Sequence, residues 1–244
     1  MSFCKTPAVT LKRSDYSDSS QIITFYTRDY GKIQAIAKGL KRPVKGVSGG
    51  IDLLTYNNIV FIHRERSNLN ILTEWALQDN FHLLRENLKK SHSAFYILEL
   101  IKEFTEENDK NEPLFDLFIN TLYEIANGGD STVNTLAFEI QMLALLGYLP
   151  EMKHCITCKA DLNSKRFAFF SALEGGLFCP HCGRDAKERV KISGGTMAII
   201  NYLVGKTKKE RLTIQQSLQV EIRNLLKYYI SFLLSKELKM WKYL

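Results

Sequence analysis

Several absences bound what this 244-residue chain can be. No apolar run approaches the ~18 residues that a membrane-spanning helix needs. The opening stretch Met1-Ser2-Phe3-Cys4-Lys5-Thr6-Pro7 has no charged segment followed by an apolar one, so no secretory leader is expected. The chain has no G-x4-G-K-[ST] phosphate loop, no G-x-G-x-x-G opening a helix, no G-x-S-x-G and no H-E-x-x-H. The histidines are scattered at His63, His82, His92, His154 and His181, and no nucleophile–base pair suggests itself. A protein that is not an enzyme, with no small-molecule substrate, is therefore expected. Internal repeats and low-complexity segments are missing too.

Cysteine is scarce, with five residues, but four of them are patterned. Cys155-Ile156-Thr157-Cys158 and Cys179-Pro180-His181-Cys182 give C-x2-C-x20-C-x2-C. A two-residue gap lets both sulfurs of a pair reach one ion from a tight knuckle, and two knuckles complete a closed tetrahedron. Cys155, Cys158, Cys179 and Cys182 are thus the expected ligands of a structural Zn(2+). His154 and His181 flank the cysteines as alternative ligands. Two disulfides, a Cys155/Cys158 redox pair and a catalytic zinc are the competing readings. They need, in turn, an oxidising compartment, a thioredoxin-like βαβ context, and an open ligand position with a nearby base, and nothing in the sequence supplies these. Paired cysteines at metal spacing point to the cytoplasm. Cys4, left over, reads as a buried strand residue or an inert thiol.

Hydrophobic content of 45% and charged content of 24% are ordinary for a soluble globular protein. The net charge of +7 is unevenly spread. Residues 1–80 carry 11 basic and 7 acidic side chains, and residues 81–150 carry 5 and 11. Residues 151–190 carry 7 and 5, and residues 191–244 carry 10 and 3. Basic ends around an acidic middle suggest that the ends face a polyanion.

Residues 1–80 read as β. Val9 and Leu11 alternate with Thr10 and Lys12. Residues 22–27 are rich in β-branched and aromatic side chains. Ile33, Ala35 and Ala37 share one face, opposite Lys32, Gln34 and Lys38. Residues 51–64 form a longer strand region, with a bulge or turn at Asn57-Asn58, and Leu69, Ile71, Thr73 and Trp75 alternate once more. Five strands in about 75 residues suit a small closed barrel, of which the OB-fold is the commonest in nucleic-acid binding. Between Arg28 and Lys45 lie Arg28, Lys32, Lys38, Lys41, Arg42 and Lys45 against a single acid, Asp29. Such cations can track a phosphate backbone without reading bases. Phe25, Tyr26, Tyr30 and Tyr56 offer aromatic faces, but aromatics at strand positions more often fill a core.

From Asp79 apolar residues recur at three and four. Residues 81–150 read as the first part of a helical domain, with Pro113 in the first turn of one helix and Asp130 or Ser131 capping the next. Residues 151–190 form the zinc module, with a strand at Arg166–Ser171 and a hairpin turn entering the second cysteine pair. Residues 191–244 complete the helical domain, with a helix from Thr196 and a last long helix from Ile214 that returns to the middle domain. The expected fold class is α+β: an N-terminal five-stranded OB-fold barrel, then an α-helical domain carrying an inserted Cys4 zinc ribbon.

The order of these parts, with several local stretches, resembles the RecO family of bacterial recombination mediators, nearly end to end. Tyr16-Ser17-Asp18-Ser19-Ser20 is similar to that family's Y-S-E-S-D turn, with Asp18 for Glu and Ser20 for Asp. Residues 26–32 are similar to its F-T-x-x-x-G-K stretch, and residues 37–43 to its A-K-G-x-R-R-P loop. Residues 145–150 lead into the cysteines as in that family, and Phe170-Ser171 with Gly175-Gly176 match its segment before the second pair. The resemblance implies a non-catalytic protein of DNA repair and recombination. It would bind single- and double-stranded DNA, anneal complementary strands and act with RecR to load RecA onto strands coated by single-stranded DNA-binding protein (SSB). It also implies a grip on the acidic, apolar-ended C-terminal tail of SSB, and a place in the nucleoid. Arg13, Arg28, Lys32, Lys38, Lys41, Arg42 and Lys45 are the expected DNA contacts. A zinc-ribbon scaffold with incidental charge is the alternative, and a zinc enzyme of nucleic-acid modification stands behind it.

Overall fold

A computed structural model describes residues 2–17, 20–38, 51–64, 67, 69–184, 188–205 and 212–244. The chain divides into two compact units, one of residues 1–128 with 240–244 and one of residues 129–239. This division falls at Gly128 and Gly129, inside the helical stretch expected over residues 81–150.

The first unit opens with five strands: β1 (Phe3–Asp15), β2 (Gln21–Thr27), β3 (Gly31–Ala37), β4 (Tyr56–Ile62) and β5 (Leu69–Asp79). They close into a barrel of order β1-β2-β3-β5-β4, with β3 and β5 parallel and the remaining pairs antiparallel. The length of β1 makes closure possible. Its first half pairs with β4 from Phe3 to Val9, and its second half pairs with β2 from Ala8 to Asp15. A bulge leaves Leu11 without a partner on β2, which breaks the expected alternation, so Thr10 is buried along with Val9 and Leu11. The register against β5 also shifts between Tyr56 and Asn57, close to the bulge that Asn57-Asn58 suggested.

Alternation on β2 and β3 fills the barrel with Ile23, Phe25, Ile33, Ala35 and Ala37, joined by Ile59, Phe61 and Leu72. On β5 the inward set is Asn70 and Leu72, whereas Trp75 is exposed. Asn70 tolerates burial because its amide donates to the Gln34 carbonyl (3.1 Å) and its oxygen meets His63 Nδ1 (3.2 Å).

Three helices follow: α1 (His82–Arg85), α2 (Leu88–Phe104) and α3 (Glu112–Ala126). The Asn87 side chain caps α2 by accepting from the Lys90 amide, and the Asn111 side chain caps α3 by accepting from the Leu114 amide. Pro113 sits in the first turn of α3, as its lack of an amide hydrogen favours. Residues 240–244 return to this unit: the Trp241 indole donates to the Tyr96 hydroxyl (3.0 Å) and the Met240 amide to Glu99 (2.9 Å).

The second unit contains α4 (Ser131–Leu145), β6 (Glu151–Cys155), β7 (Phe167–Ser171), β8 (Gly176–Phe178), β9 (Arg189–Ser193), α5 (Gly194–Val204) and α6 (Gln216–Leu234). Asp130 caps α4 through the Thr132 and Val133 amides. The four strands form one sheet of order β6-β8-β7-β9. Only β7 and the turn into β8 are read in advance: β6 lacks the β-branched alternation that marks strands in sequence, and β9 shows it, with Val190 and Ile192 between Arg189, Lys191 and Ser193, over only five residues. The inner face packs Phe170 edge-on against Tyr229 of α6, at 5.4 Å. The long helix α6 packs on α4, which lies within the residues 81–150 to which it was expected to return, while the last five residues return to the first unit.

Gly31 shows how closely the first unit is packed. Its φ is +65°, and a Cβ placed there would lie 2.1 Å from the Asp109 carbonyl oxygen. The loop after α2 presses on β3 at this point, and the Asn108 amide donates to the Lys32 carbonyl at 2.9 Å. Gly31→Ala is expected to cost about 2–3 kcal/mol through strain and overpacking, read as a lower urea midpoint. An unchanged midpoint would show that the loop yields freely.

Candidate metal centre and nucleic-acid interface

The two cysteine pairs sit where strands end. β6 delivers Cys155, and the chain turns back so that the Lys159 amide donates to the Cys155 carbonyl (2.9 Å). Lys159 takes a left-handed φ of 61° to make this turn. β8 delivers Cys179, whose sulfur accepts from the Cys182 amide at 3.3 Å and whose carbonyl accepts from the Gly183 amide at 2.9 Å. The Ile156 amide donates to the Leu177 carbonyl (2.8 Å) and holds the first knuckle against the second strand.

All four sulfurs lie within 4.8 Å of one another, and those of Cys158 and Cys179 are 3.8 Å apart. Tetrahedral coordination with bonds of about 2.3 Å places sulfurs about 3.8 Å apart, so the cluster fits one ion. Burial pushes the Cys155 thiol up, but amide donation from Cys158, Cys179 and Thr157 outweighs it and brings the thiol down to about 6. The Cys182 thiol is pushed up to about 12 by its hydrogen bond to Cys179, by burial and by the thiols of Cys158 and Cys155. Four thiolates this close repel one another, and a dication at their centre lets all four deprotonate. Among the described residues the metal-competent group consists of the cysteines alone. His154 faces Glu151 instead, with Nδ1 3.6 Å from the carboxylate.

The expected DNA contacts separate into three sets. Arg28 and Lys32 are engaged within the first unit. The Arg28 guanidinium forks onto Asp116 at 2.9 and 3.0 Å and reaches Glu112 at 3.1 Å. Hydrogen bonding to Asp116 and the charges of Asp116 and Glu112 hold its pKa further above the ordinary arginine value. The Lys32 ammonium donates to the carbonyls of Lys102 and Thr105, at the C-terminal end of α2. Carbonyls at a helix end carry partial negative charge and lack intrahelical partners, so an ammonium satisfies both needs. Burial lowers the Lys32 pKa, against the raising effect of Glu106, Glu103 and Glu107.

Arg13 and Lys38 form the second set. Arg13 is half-exposed and only 3.5 Å from the similarly exposed Asp52, a pair worth little in water. Lys38 is exposed at the end of β3. Lys12, exposed beside Arg13, was missing from the expected contacts, because one cation in an alternating strand carries no special signal. The third set, Lys41, Arg42 and Lys45, lies outside the described residues.

The barrel aromatics are largely core. Phe25 and Tyr26 are fully buried, and Tyr26 packs on Phe115 and Phe118 while its hydroxyl donates to the Asn111 carbonyl (3.4 Å). Desolvation, then the charge of Asp109, pushes the Tyr26 pKa up. Among the described residues no helix is long and apolar enough to cross a membrane.

Two families match this chain. Recombination protein O N terminal matches residues 1–81, and Recombination protein O C terminal matches residues 85–242. The chain is 30% identical over 246 residues to the DNA repair protein RecO of Pelotomaculum thermopropionicum, a match covering all of this chain and 94% of that protein. It is 32% identical over 244 residues to the DNA repair protein RecO of Syntrophus aciditrophicus, covering 98% and 94%. With that of Rhodopirellula baltica it shares 34% over 208 residues, covering 85% and 77%.

Two outcomes follow from the geometry. Cys179→Ser is expected to lower bound metal per chain, measured by elemental analysis, and to lower the melting temperature by on the order of 10 °C. A metal-replete variant that melts like wild type would contradict a closed four-sulfur site. Lys32→Ala, which strips the Lys102 and Thr105 carbonyls of their donor, is expected to cost roughly 1–3 kcal/mol in denaturant titrations and to leave DNA affinity unchanged.

Proposed function

The chain belongs to the RecO family of DNA repair proteins, and from that premise we propose that it is a recombination mediator. It binds single- and double-stranded DNA, anneals complementary strands without nucleotide, and with RecR helps RecA load onto SSB-coated strands. The observation that carries this reading is the closed barrel of OB order, whose strand β3 leads through Lys38 into the run containing Lys41, Arg42 and Lys45.

Annealing asks little chemistry of a protein. Two phosphate chains must approach against their mutual repulsion while their bases stay free to pair. Cations on a barrel surface lower that repulsion by displacing counterions. In this reading the surface consists of Arg13, Lys38, Lys41, Arg42 and Lys45, with Lys12 added. Arg28 and Lys32 leave it, because carboxylates and helix-end carbonyls already occupy them.

The ion in the cysteine cluster is proposed to be Zn(2+), which four thiolates suit in charge, softness and geometry. With every ligand position supplied by sulfur, its role is structural. The helices supply the proposed grip on the acidic, apolar-ended tail of SSB, and the protein works in the cytoplasm at the nucleoid.

The test is annealing. Two complementary labelled oligonucleotides, one coated with the cognate SSB, are mixed with the full chain at low and high salt without nucleotide. Acceleration at low salt that fades at high salt is expected, and no binding and no acceleration would overturn the reading. Lys41→Ala with Arg42→Ala is expected to weaken single-strand binding alike for all sequences. It should also make the slope of log affinity against log salt shallower by about 1.4, at about 0.7 per lost phosphate contact. Unchanged affinity would remove that loop from the surface.

A further inference from the structure

The sheet of the second unit has two unlike faces. The inner one buries Ala168, Phe170 and Ile192. The outer one carries Phe167 and Phe169 from β7 and Arg189 and Lys191 from β9, since the register pairs Phe169 with Lys191 and Ser171 with Arg189. The Lys191 ammonium stands 4.3 Å from the centre of the Phe167 ring, and the Arg189 guanidinium carbon 4.9 Å from that of Phe169. The two rings meet edge to face at 5.7 Å.

The second cysteine knuckle rests on this same face. A Cβ on Gly183 would lie 2.5 Å from Phe169 Cδ2, so only glycine lets the turn Cys182–Arg184 seat there. Arg184, which ends that turn, is exposed. Among the described residues no carboxylate lies within ion-pair distance of Arg184, Arg189 or Lys191. These cations differ in this from Arg28.

We infer that the outer face of this sheet is a second surface for a single nucleic-acid strand, with phosphates on Arg184, Arg189 and Lys191 and bases against Phe167 and Phe169. Among the described residues these cations have no carboxylate partner and the rings are partly exposed, and a nucleotide uses both features. An acidic protein segment would use the charge alone. Side chains two apart on a strand stand roughly 6.6 Å from each other, comparable with one backbone repeat of an extended strand. Cations interleaved with aromatic faces are the usual device of sequence-tolerant single-strand binding. Because Gly183 joins the cysteine turn to Phe169, the metal site also fixes one border of the surface. The inference rests on the reading of this chain as DNA-binding, but other residues in the other unit carry it. Two strand-holding surfaces on one chain would raise the local concentration of one complementary strand near the other.

The first experiment uses the full chain as purified and an oligo(dT) containing 5-iodouracil, crosslinked by ultraviolet light and mapped by peptide mass. Crosslinks at Phe167 or Phe169 are expected in addition to any in residues 1–80. Crosslinks confined to residues 1–80 would overturn this inference and leave the mediator reading standing. No crosslink and no binding anywhere would overturn both. The second experiment compares Arg189→Gln with Lys191→Gln against the charge-keeping pair Arg189→Lys with Lys191→Arg. The neutral pair is expected to bind oligo(dT) roughly tenfold more weakly at low salt, with a salt slope shallower by about 1.4, and the charge-keeping pair to bind like wild type. Equal binding by the neutral pair and the wild type would overturn the inference. So would equally weak binding by both pairs, which would mark a packing role. Polyglutamate that competes as well as oligo(dT) of equal charge would overturn the nucleic-acid assignment in favour of an acidic protein.

Discussion

Four sulfurs within 4.8 Å of one another impose the strictest condition in the second unit. Without a cation, the thiols share protons unequally, with Cys155 acidified by amides and Cys182 held protonated by its neighbours. With a dication, the same sulfurs tie the end of β6 to the end of β8, and β8 in turn carries β7 and β9. β8 has only three residues, so a metal crosslink at the cysteines would reinforce the packing of the sheet's inner face. Gly183 and Gly176 are two places where the backbone comes close to a packed side chain: a Cβ on Gly176 would meet Ile156 at 2.6 Å.

The first unit solves a different problem. A small sheet leaves edges, and closure removes them. β1 achieves this by serving β2 with one half and β4 with the other, at the cost of the bulge at Leu11. The helices after the barrel are then fastened by charge. Lys32 terminates α2 and Arg28 forks onto α3, so two cations that a linear reading assigns to a polyanion bind the protein itself. The carboxylates of residues 81–150 are thus more than a solvated face. Asp116 and Glu112 neutralise the side of the barrel that they touch, and the charge left for a ligand is correspondingly smaller there.

Local pattern made much of this legible in advance. The C-x2-C-x20-C-x2-C spacing predicts a four-sulfur cluster because two residues between cysteines fix a knuckle wherever the pairs meet. Period-two alternation at Ile33, Ala35 and Ala37 predicts their shared inward face, because a pleated strand has only two sides. Pro113 and Asp130 mark helix starts through dihedral preferences or hydrogen bonds that reach only a few residues. Other features depend on register and partner, which no local window contains. The pairing of β4 with β5 turned Leu72 inward and Trp75 outward. β9 pairs with β7 in a register that sets Arg189 and Lys191 over two phenylalanine rings. The sequence by itself determined which residues are cations and which cysteines come together. Only the tertiary structure decided which cations keep their charge for another molecule, because that depends on carboxylates and carbonyls as many as 88 residues away along the chain.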